Sequence, residues 1–293
     1  MMAFLETSLM VTDVISILIT FPGYMFILAV NILDWMEKKR CEISDQLIFG
    51  ISLSILTHRV FEIGLDLVIV TKRPQTIQNQ ALLFLSYLSI VLCTFIFSTW
   101  LAIHFCLKIV NINCKPYICI QRMFPKIFPW ILLPSILASL LISAPPAHWL
   151  GQNHLINSTV TPQYREYSFL QCFFYFLPYN VFLILCFLLF FSSGLNIILS
   201  LQRHIRRMHS SSSEFTAQIV ATHITAIITI FSLLAFNLFY FVFLVMFMAF
   251  NLSQQATEFF PFLYALCHVF GVAILIKSSR KLQKKLHFVL FYC

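Results

Sequence analysis

The sequence predicts an all-α membrane protein: a seven-transmembrane helix bundle with its N-terminus outside and its C-terminus cytoplasmic. Three observations carry that expectation. Of 293 residues, 60% are hydrophobic and 10% charged, with a mean hydropathy of +0.88. A soluble domain is about half apolar and about a quarter charged, so this composition cannot clothe a water-facing surface. The apolar residues fall in long runs without the alternation of barrel strands, and in hydrocarbon only helices and closed barrels satisfy their own backbones. The basic residues gather in alternate loops, which sets the orientation.

A helix needs about 20 predominantly apolar residues to cross the hydrocarbon core. Seven segments qualify: 11–33, 47–70, 81–110, 124–142, 169–199, 219–250 and 259–276. The first is expected to stay as a signal anchor. It follows "MMAFLETSLM", which carries Glu6 but no Lys or Arg and offers no small-residue cleavage site. Several spans exceed the minimum length, so tilt or extramembrane extension is expected. Pro22, Pro129, Pro134, Pro178 and Pro261 lie in or near spans, where membrane helices tolerate kinks. After the seventh span, residues 277–293 ("KSSRKLQKKLHFVLFYC") read as a short amphipathic tail lying on the inner leaflet, with membrane lipids as partners. Its Cys293 is a candidate for palmitoylation. No repeat at a fixed period appears, and residues 1–293 read as a single domain.

Lys38, Lys39 and Arg40 follow span one. Lys108, Lys115, Arg122 and Lys126 surround the link from three to four. Arg203, Arg206 and Arg207 follow span five, and Lys277, Arg280, Lys281, Lys284 and Lys285 follow span seven. These are fifteen of the 19 Lys+Arg, against Lys72, Arg73 and Arg165 in the opposite loops. The basic side is therefore cytoplasmic, and the net charge of +8 is a topology signal rather than a nucleic-acid footprint. Two Asn-x-Ser/Thr triplets, at Asn157 and Asn251, fall in loops predicted to be outside. Asn157 lies mid-loop and is the expected glycosylation site.

Function classes narrow quickly. The nine cysteines show no Cys-x-x-Cys or other metal-ligand spacing, and most lie in apolar runs where Cys serves as a small core residue. No zinc-protease helix motif, nucleophile elbow or phosphate loop occurs, so neither an enzyme nor a metal or cofactor site has residues to rest on. Seven spans point to a G-protein-coupled receptor. A small-solute transporter stays open, although an odd span number and the lack of a pseudo-repeat count against it.

The stretch "ILTHRVFEIGLDL" in span two carries Arg59, Glu62 and Asp66 on one helical face, since they are spaced at three, four and seven. A lone charge at mid-membrane costs about 2.5–3.5 kcal/mol on insertion scales, so such residues turn inward and pair. Arg59 is expected to act as a structural polar lock to spans one and seven, with Glu62 as a local partner. Alternatively, the two neutralise each other and serve assembly alone. Asp66, with Glu62 and Glu258, gives the outer cavity a negative character suited to cationic amphipathic amines. The alternative is that Asp66 is solvated at the rim beside Lys72 or Arg73.

The common receptor signatures are missing: span three ends "HFCLKIVNI" without Asp/Glu-Arg-Tyr, span six lacks Cys-Trp-x-Pro, and span seven lacks Asn-Pro-x-x-Tyr. What stands there resembles the bitter taste receptors, the type 2 taste receptor family. Leu107, Lys108, Ile109 and Asn111 match the end of the family's span three. Ser200, Leu201, His204 and Met208 match in "SLQRHIRRM", and His223, Ile224, Ala226, Tyr240 and Phe241 match in span six. Arg59 and the mid-loop sequon fit as well. "GVAILIKSSRKLQKK" keeps Ile274, Leu275, Ile276, Lys281 and Leu282, but Gly271 and Ser279 stand where His and Asn are expected, and His268 lies one turn earlier. A divergent vertebrate member is the implied identity.

The resemblance implies a plasma-membrane, multi-pass chemoreceptor that binds small-molecule bitter agonists and activates a heterotrimeric G protein of the gustducin (Gi-like) kind. It places Ile96, Trp100, Tyr240 and Asn237 in the ligand pocket. Lys108, His204 and His223 sit on family motifs at the G-protein-coupling face, and Arg206 and Arg207 extend it in the basic run after span five. The nearest alternative within the class is a vomeronasal type 1-like pheromone receptor, whose span-three and loop signatures are not found.

Overall fold

The computed structural model describes residues 2–38, 42–71, 77–110, 115–156, 165–208 and 260–292, together with positions 232, 235, 238, 239, 241 and 242. Every regular element among them is helical. In chain order these are α1 (Met2–Lys38), α2 (Ile43–Thr71), α3 (Ile77–Ile109), α4 (Lys115–Ile156), α5 (Arg165–Met208), α6 (Phe260–Ser278) and α7 (Arg280–Tyr292). Five are long and apolar enough to cross a membrane, over Val14–Glu37, Ile43–Gly64, Ala81–Ile109, Tyr117–Trp149 and Phe174–Ser200, and α6 holds a shorter apolar stretch, His268–Lys277. The expected sixth span, 219–250, lies outside the described residues except for positions 232, 235, 238, 239, 241 and 242, all helical.

The helices overrun the predicted spans, most clearly α4, which was expected at 124–142, and α5, expected at 169–199. Hydropathy marks only the part that must sit in hydrocarbon, while the intrahelical hydrogen-bond ladder runs on past it. Helix α4 contains Pro125, Pro129, Pro134, Pro145 and Pro146 and still remains one element. Apolar surroundings offer a broken turn no competing water, so helix survives where it would melt in a soluble protein. For the same reason the span hydroxyls turn back on their own helices. Thr20, Thr57, Thr94, Thr99 and Ser135 each donate to the carbonyl one turn earlier at 2.7–3.0 Å.

Buried positions trace one face per helix. On α1 they include Thr20, Tyr24, Ile27, Asn31 and Asp34, and on α5 Tyr179, Leu183, Cys186, Phe190 and Ile197, the three-and-four spacing of a packed stripe. The opposite faces expose large apolar side chains, among them Leu18, Trp130 and Leu188, as lipid-facing surfaces should. Helix α3 is central, packing on α2, α4 and α5, while α1 sits against α2 and α6. Polar ties cross the α3 contacts. Thr99 Oγ1 donates to the Cys186 carbonyl at 3.1 Å, Tyr179 Oη to the Leu88 carbonyl at 3.4 Å, and Cys93 Sγ meets Ser139 Oγ at 3.0 Å.

Two glycines let backbones approach. A Cβ on Gly50 would stand 3.2 Å from the Phe97 ring, and one on Gly23 would stand 2.5 Å from Val272 Cγ1. The second is an impossible contact with a stiff β-branched side chain, so α1 meets α6 this closely only because residue 23 has no side chain. Gly23→Ala is therefore expected to lower stability by about 1–3 kcal/mol, read as a fall in the thermal unfolding midpoint of the purified chain. The pairing Gly23→Ala with Val272→Ala should recover most of the loss. An unshifted midpoint in Gly23→Ala would contradict the contact.

Candidate functional site

The polar cluster of α2 is built from one helical turn and its surroundings. Arg59 is 3% exposed. Its guanidinium donates from Nη1 to Glu62 Oε2 at 2.9 Å and from Nη2 to Ser16 Oγ of α1 at 3.1 Å. A separation of three residues puts Glu62 within reach on the same face. The neighbouring His58 is also buried. Its Nδ1 lies 3.8 Å from Glu62 Oε1, and its ring packs against Tyr87 of α3 (centroids 4.6 Å apart) and His268 of α6 (6.1 Å). Tyr24 of α1 donates to the His268 carbonyl at 3.3 Å. Four helices thus meet around one ion pair, in which Arg59 is buried and Glu62 keeps 21% exposure.

A second cluster closes the other end of the same helices. Lys281 of α7 places Nζ 2.9 Å from Asp34 Oδ2 and 3.1 Å from Asp45 Oδ2, and donates to Asn31 Oδ1 at 3.0 Å. Asn31 and Asp34 are on α1, and Asp45 is in the first turn of α2, where a carboxylate also complements the helix dipole. Partial burial alone would lower the Lys281 pKa, but the hydrogen bonds and charges of Asp34 and Asp45 outweigh it and hold the ammonium above its ordinary range. Ser279 separates α6 from α7. Its Oγ accepts from the Leu282 N–H at 3.5 Å, and its carbonyl from the Gln283 N–H at 3.1 Å, which fixes the angle at which Lys281 turns back.

At the same end, the last carbonyls of α3 are taken up by α4. Tyr117 Oη donates to the Cys106 and Val110 carbonyls at 3.0 and 3.1 Å, and Gln121 Nε2 to the Leu107 carbonyl at 2.8 Å. The Leu107 and Val110 carbonyls are groups a helix terminus leaves open, whereas the Cys106 carbonyl also accepts the Val110 N–H at 2.9 Å. Lys108, in the last turn of α3, is exposed.

Of the residues singled out from the sequence, the structure brings Arg59 and Glu62 together. Trp100 donates its indole N–H to Ser135 Oγ of α4 at 3.3 Å and lies 6.2 Å from the Phe124 ring. Ile96 is 4% exposed, in a cluster with Leu92, Tyr179 and Leu183 between α3 and α5. Trp100 packs against this cluster too, and also against the one that holds Phe124 and Phe128. Asp66 is on α2, and His204, Arg206 and Arg207 are on the last turns of α5, but their side chains lie outside the described residues. Asn157, His223, Asn237, Tyr240 and Glu258 lie outside them altogether. Phe241, beside Tyr240, stacks on Phe187 of α5 with centroids 4.6 Å apart.

Sequence reasoning did not single out Ser16, His58 or Tyr87 for the Arg59 cluster, and it read Lys281 as a positive-inside charge and a family-motif position without naming its partners. The available signal was a count of acids. Asp34 and Asp45 flank the first loop at the ends of apolar spans, with Glu37 and Glu42 between them, and an acid turned into the bundle needs a cation. Among the described residues no group of three His, Cys, Asp or Glu could hold a metal ion.

Residues 1–293 match the family model described as taste receptor protein (TAS2R). The chain is similar to taste receptor type 2 member 2 of Homo sapiens, 25% identical over 217 residues that cover 72% of this chain and 69% of that protein. It is 29% identical over 204 residues to taste receptor type 2 member 41 of Pan paniscus, covering 65% of this chain and 64% of that protein. The similarity to taste receptor type 2 member 140 of Rattus norvegicus, 24% over 300 residues, covers 95% of this chain and 92% of that protein.

Removing one partner of a buried ion pair leaves the other uncompensated, at a cost of about 3–5 kcal/mol. Arg59→Ala should therefore lower the thermal midpoint sharply, while Arg59→Ala with Glu62→Gln should lower it less, because the stranded carboxylate is gone. The Lys281 clasp carries a raised pKa, so its contribution is complete below the ordinary lysine value near 10.5 and is lost as pH rises through the raised one. Lys281→Gln should lower the midpoint at neutral pH and should lack the wild type's further fall in strong alkali attributable to this group.

Proposed function

The chain belongs to the taste receptor protein (TAS2R) family, and on that premise we propose that it is a bitter chemoreceptor of the plasma membrane, coupled to a gustducin-like (Gi-like) heterotrimeric G protein. The family match over residues 1–293 carries this reading. The proposed topology has seven spans, the N-terminus outside and the C-terminus in the cytoplasm, so the Arg59 cluster sits in the outer half and the Lys281 clasp at the inner surface. Spacing supports this. Ser16 and Asp34, one in each cluster, are about 27 Å apart by helical rise, close to the thickness of a hydrocarbon core.

In this reading small amphipathic bitter compounds enter from outside. Glu62 and Asp66 on span two, with Glu258 at the start of span seven, attract cationic amines. Trp100, Ile96, Tyr240 and Asn237 form walls in which aromatic faces add cation–π attraction. Glu62 suits this role because Arg59 Nη1 holds its Oε2 at 2.9 Å while the side chain keeps 21% exposure. Arg59 is the structural lock that orients Glu62 and ties span two to span one. On the inner side Lys108 is exposed and, with His204, Arg206, Arg207 and His223, forms the G-protein-coupling face. Asn157 carries the glycan. Binding acts by population shift. A ligand moves the bundle only by the difference between its affinities for the two states, and a change from 1:99 to 99:1 needs about 10⁴-fold preference.

Cells expressing the surface-tagged chain with a gustducin-tailed G protein should release calcium in a dose-dependent way when given members of a bitter panel containing tertiary and quaternary amines. Silence from a chain shown to be at the surface, or movement of labelled solute without GTP exchange, would remove the receptor reading. For an amine agonist, Asp66→Asn should raise the half-maximal concentration by roughly tenfold, the equivalent of about 1.4 kcal/mol. Unchanged potency would leave Asp66 as a solvated rim charge.

A further inference from the structure

The inner end of α3 is held in a way that a terminal helical turn ordinarily is not. The last turn of a helix lacks intrahelical donors for its carbonyls and is the part that frays. Here the carbonyls on either side of Lys108 accept from side chains of α4: Cys106 and Val110 from Tyr117 Oη at 3.0 and 3.1 Å, and Leu107 from Gln121 Nε2 at 2.8 Å. The Tyr117 hydroxyl has one hydrogen, so its two acceptors share it, a three-centre bond of the kind common at helix ends. Gln121 follows Tyr117 by four residues, so both donors stand on the same face of α4.

Lys108 lies inside this bracket. It is exposed, while Leu107 and Val110 beside it are buried. Tyr117 also packs in the cluster that holds Val110 and the fully buried Ile197 of α5. One ring therefore stands where α3, α4 and α5 meet at the inner end. Gln121 is exposed and Tyr117 half-buried. A hydrogen bond near the surface adds little net stability, because water competes for both partners. What it adds is a fixed geometry for the turn it caps.

We propose that Tyr117, assisted by Gln121, is a positioning residue for G-protein coupling, holding the turn of α3 that presents Lys108. The inference rests on the coupling role given above to Lys108 and deepens it. An ammonium only donates, so the group that Lys108 meets on the G protein is an acceptor. Its flexible four-carbon stem must be ordered when that contact forms, and a frayed backbone turn would add its own disorder to the cost. Tyr117 and Gln121 remove the second part before the partner arrives, which is preorganisation in the ordinary sense. They act through Lys108 and need touch nothing on the G protein.

The test uses the full purified chain in nanodiscs, with a gustducin-like heterotrimer and a saturating amount of the panel compound that wild type answers most strongly. Two quantities are read. One is hydrogen–deuterium exchange at the amides of Lys108, Ile109 and Val110, which needs neither agonist nor G protein. The other is the G-protein concentration giving half-maximal GTP exchange. Tyr117→Phe keeps the ring and removes only the hydroxyl. It should speed exchange at these amides and raise the half-maximal concentration by about fivefold, the worth of one hydrogen bond. Should Tyr117→Phe fail to fold, Gln121→Ala carries the same two readouts in the same direction. Lys108→Gln should also weaken coupling, and adding Tyr117→Phe to it should weaken coupling no further while still speeding amide exchange. A merely structural role predicts the same loss with and without Lys108, and that result overturns the proposal. So does unchanged coupling in Tyr117→Phe, or amide exchange that does not respond to it. Wild type that drives no GTP exchange with any panel compound removes the receptor reading and this inference with it, whatever the amides show.

Discussion

A guanidinium buried among apolar helices cannot be left to water, and much of this bundle is arranged around that fact. Arg59 is satisfied by Glu62 on its own helix and Ser16 on α1. Once that pair fixes the rotation of α2, His58 must also point inward, and it finds Tyr87 and His268. Tyr24 then reaches the His268 carbonyl, and the close approach of α1 to α6 at Gly23 and Val272 keeps that bond within range. Each contact is modest by itself. Together they set the rotation of α1, α2 and α6 about one another, because no partner can turn away without stranding a polar group in a medium that offers no substitute.

The Lys281 clasp applies the same constraint at the opposite end. Asp45 and Arg59 are about 21 Å apart along α2 by helical rise, so the helix is held to α1 at two well-separated points, and α6 is bound in through His268 above and through α7 below. Two points determine an axis, which leaves little freedom for α2 to tilt. On the other flank α3 is held differently. Its ties to α4 and α5 run largely through backbone carbonyls of Cys186, Leu88, Cys106, Leu107 and Val110, acceptors that sliding helices can exchange at lower cost than a buried ion pair. The bundle therefore combines a side clamped by charge, α1–α2–α6, with a side, α3–α4–α5, tied largely through backbone carbonyls.

That division also bears on the pocket. The indole N–H of Trp100 is engaged by Ser135 and Ile96 is almost wholly enclosed, so as drawn they contribute shape and stiffness to the α3 seams. Contact with a ligand would require α3 to shift against α4 or α5. Glu62 is different. It is fixed by Arg59 yet partly exposed, so its charge is held in position without further ordering.

The sequence by itself determined the class of protein, because composition and run length decide whether a chain can face water. It also determined the charged face of α2, since spacing on a helix follows from 3.6 residues per turn. Family identity was legible in short motifs around Lys108, His204, His223 and Lys281. Several helices run beyond the expected spans, most of all α4, because hydropathy stops at the hydrocarbon edge and backbone hydrogen bonding does not. Only the tertiary structure decided that Ser16 is the cross-helix acceptor for Arg59, that His58 lies between Tyr87 and His268, and that Lys281 reaches Asn31, Asp34 and Asp45. The last pairing joins residues about 250 positions apart in sequence. Periodicity tells which face of a helix turns inward, but not which neighbour it meets there, and that depends on how the helices cross and how closely a glycine lets them approach.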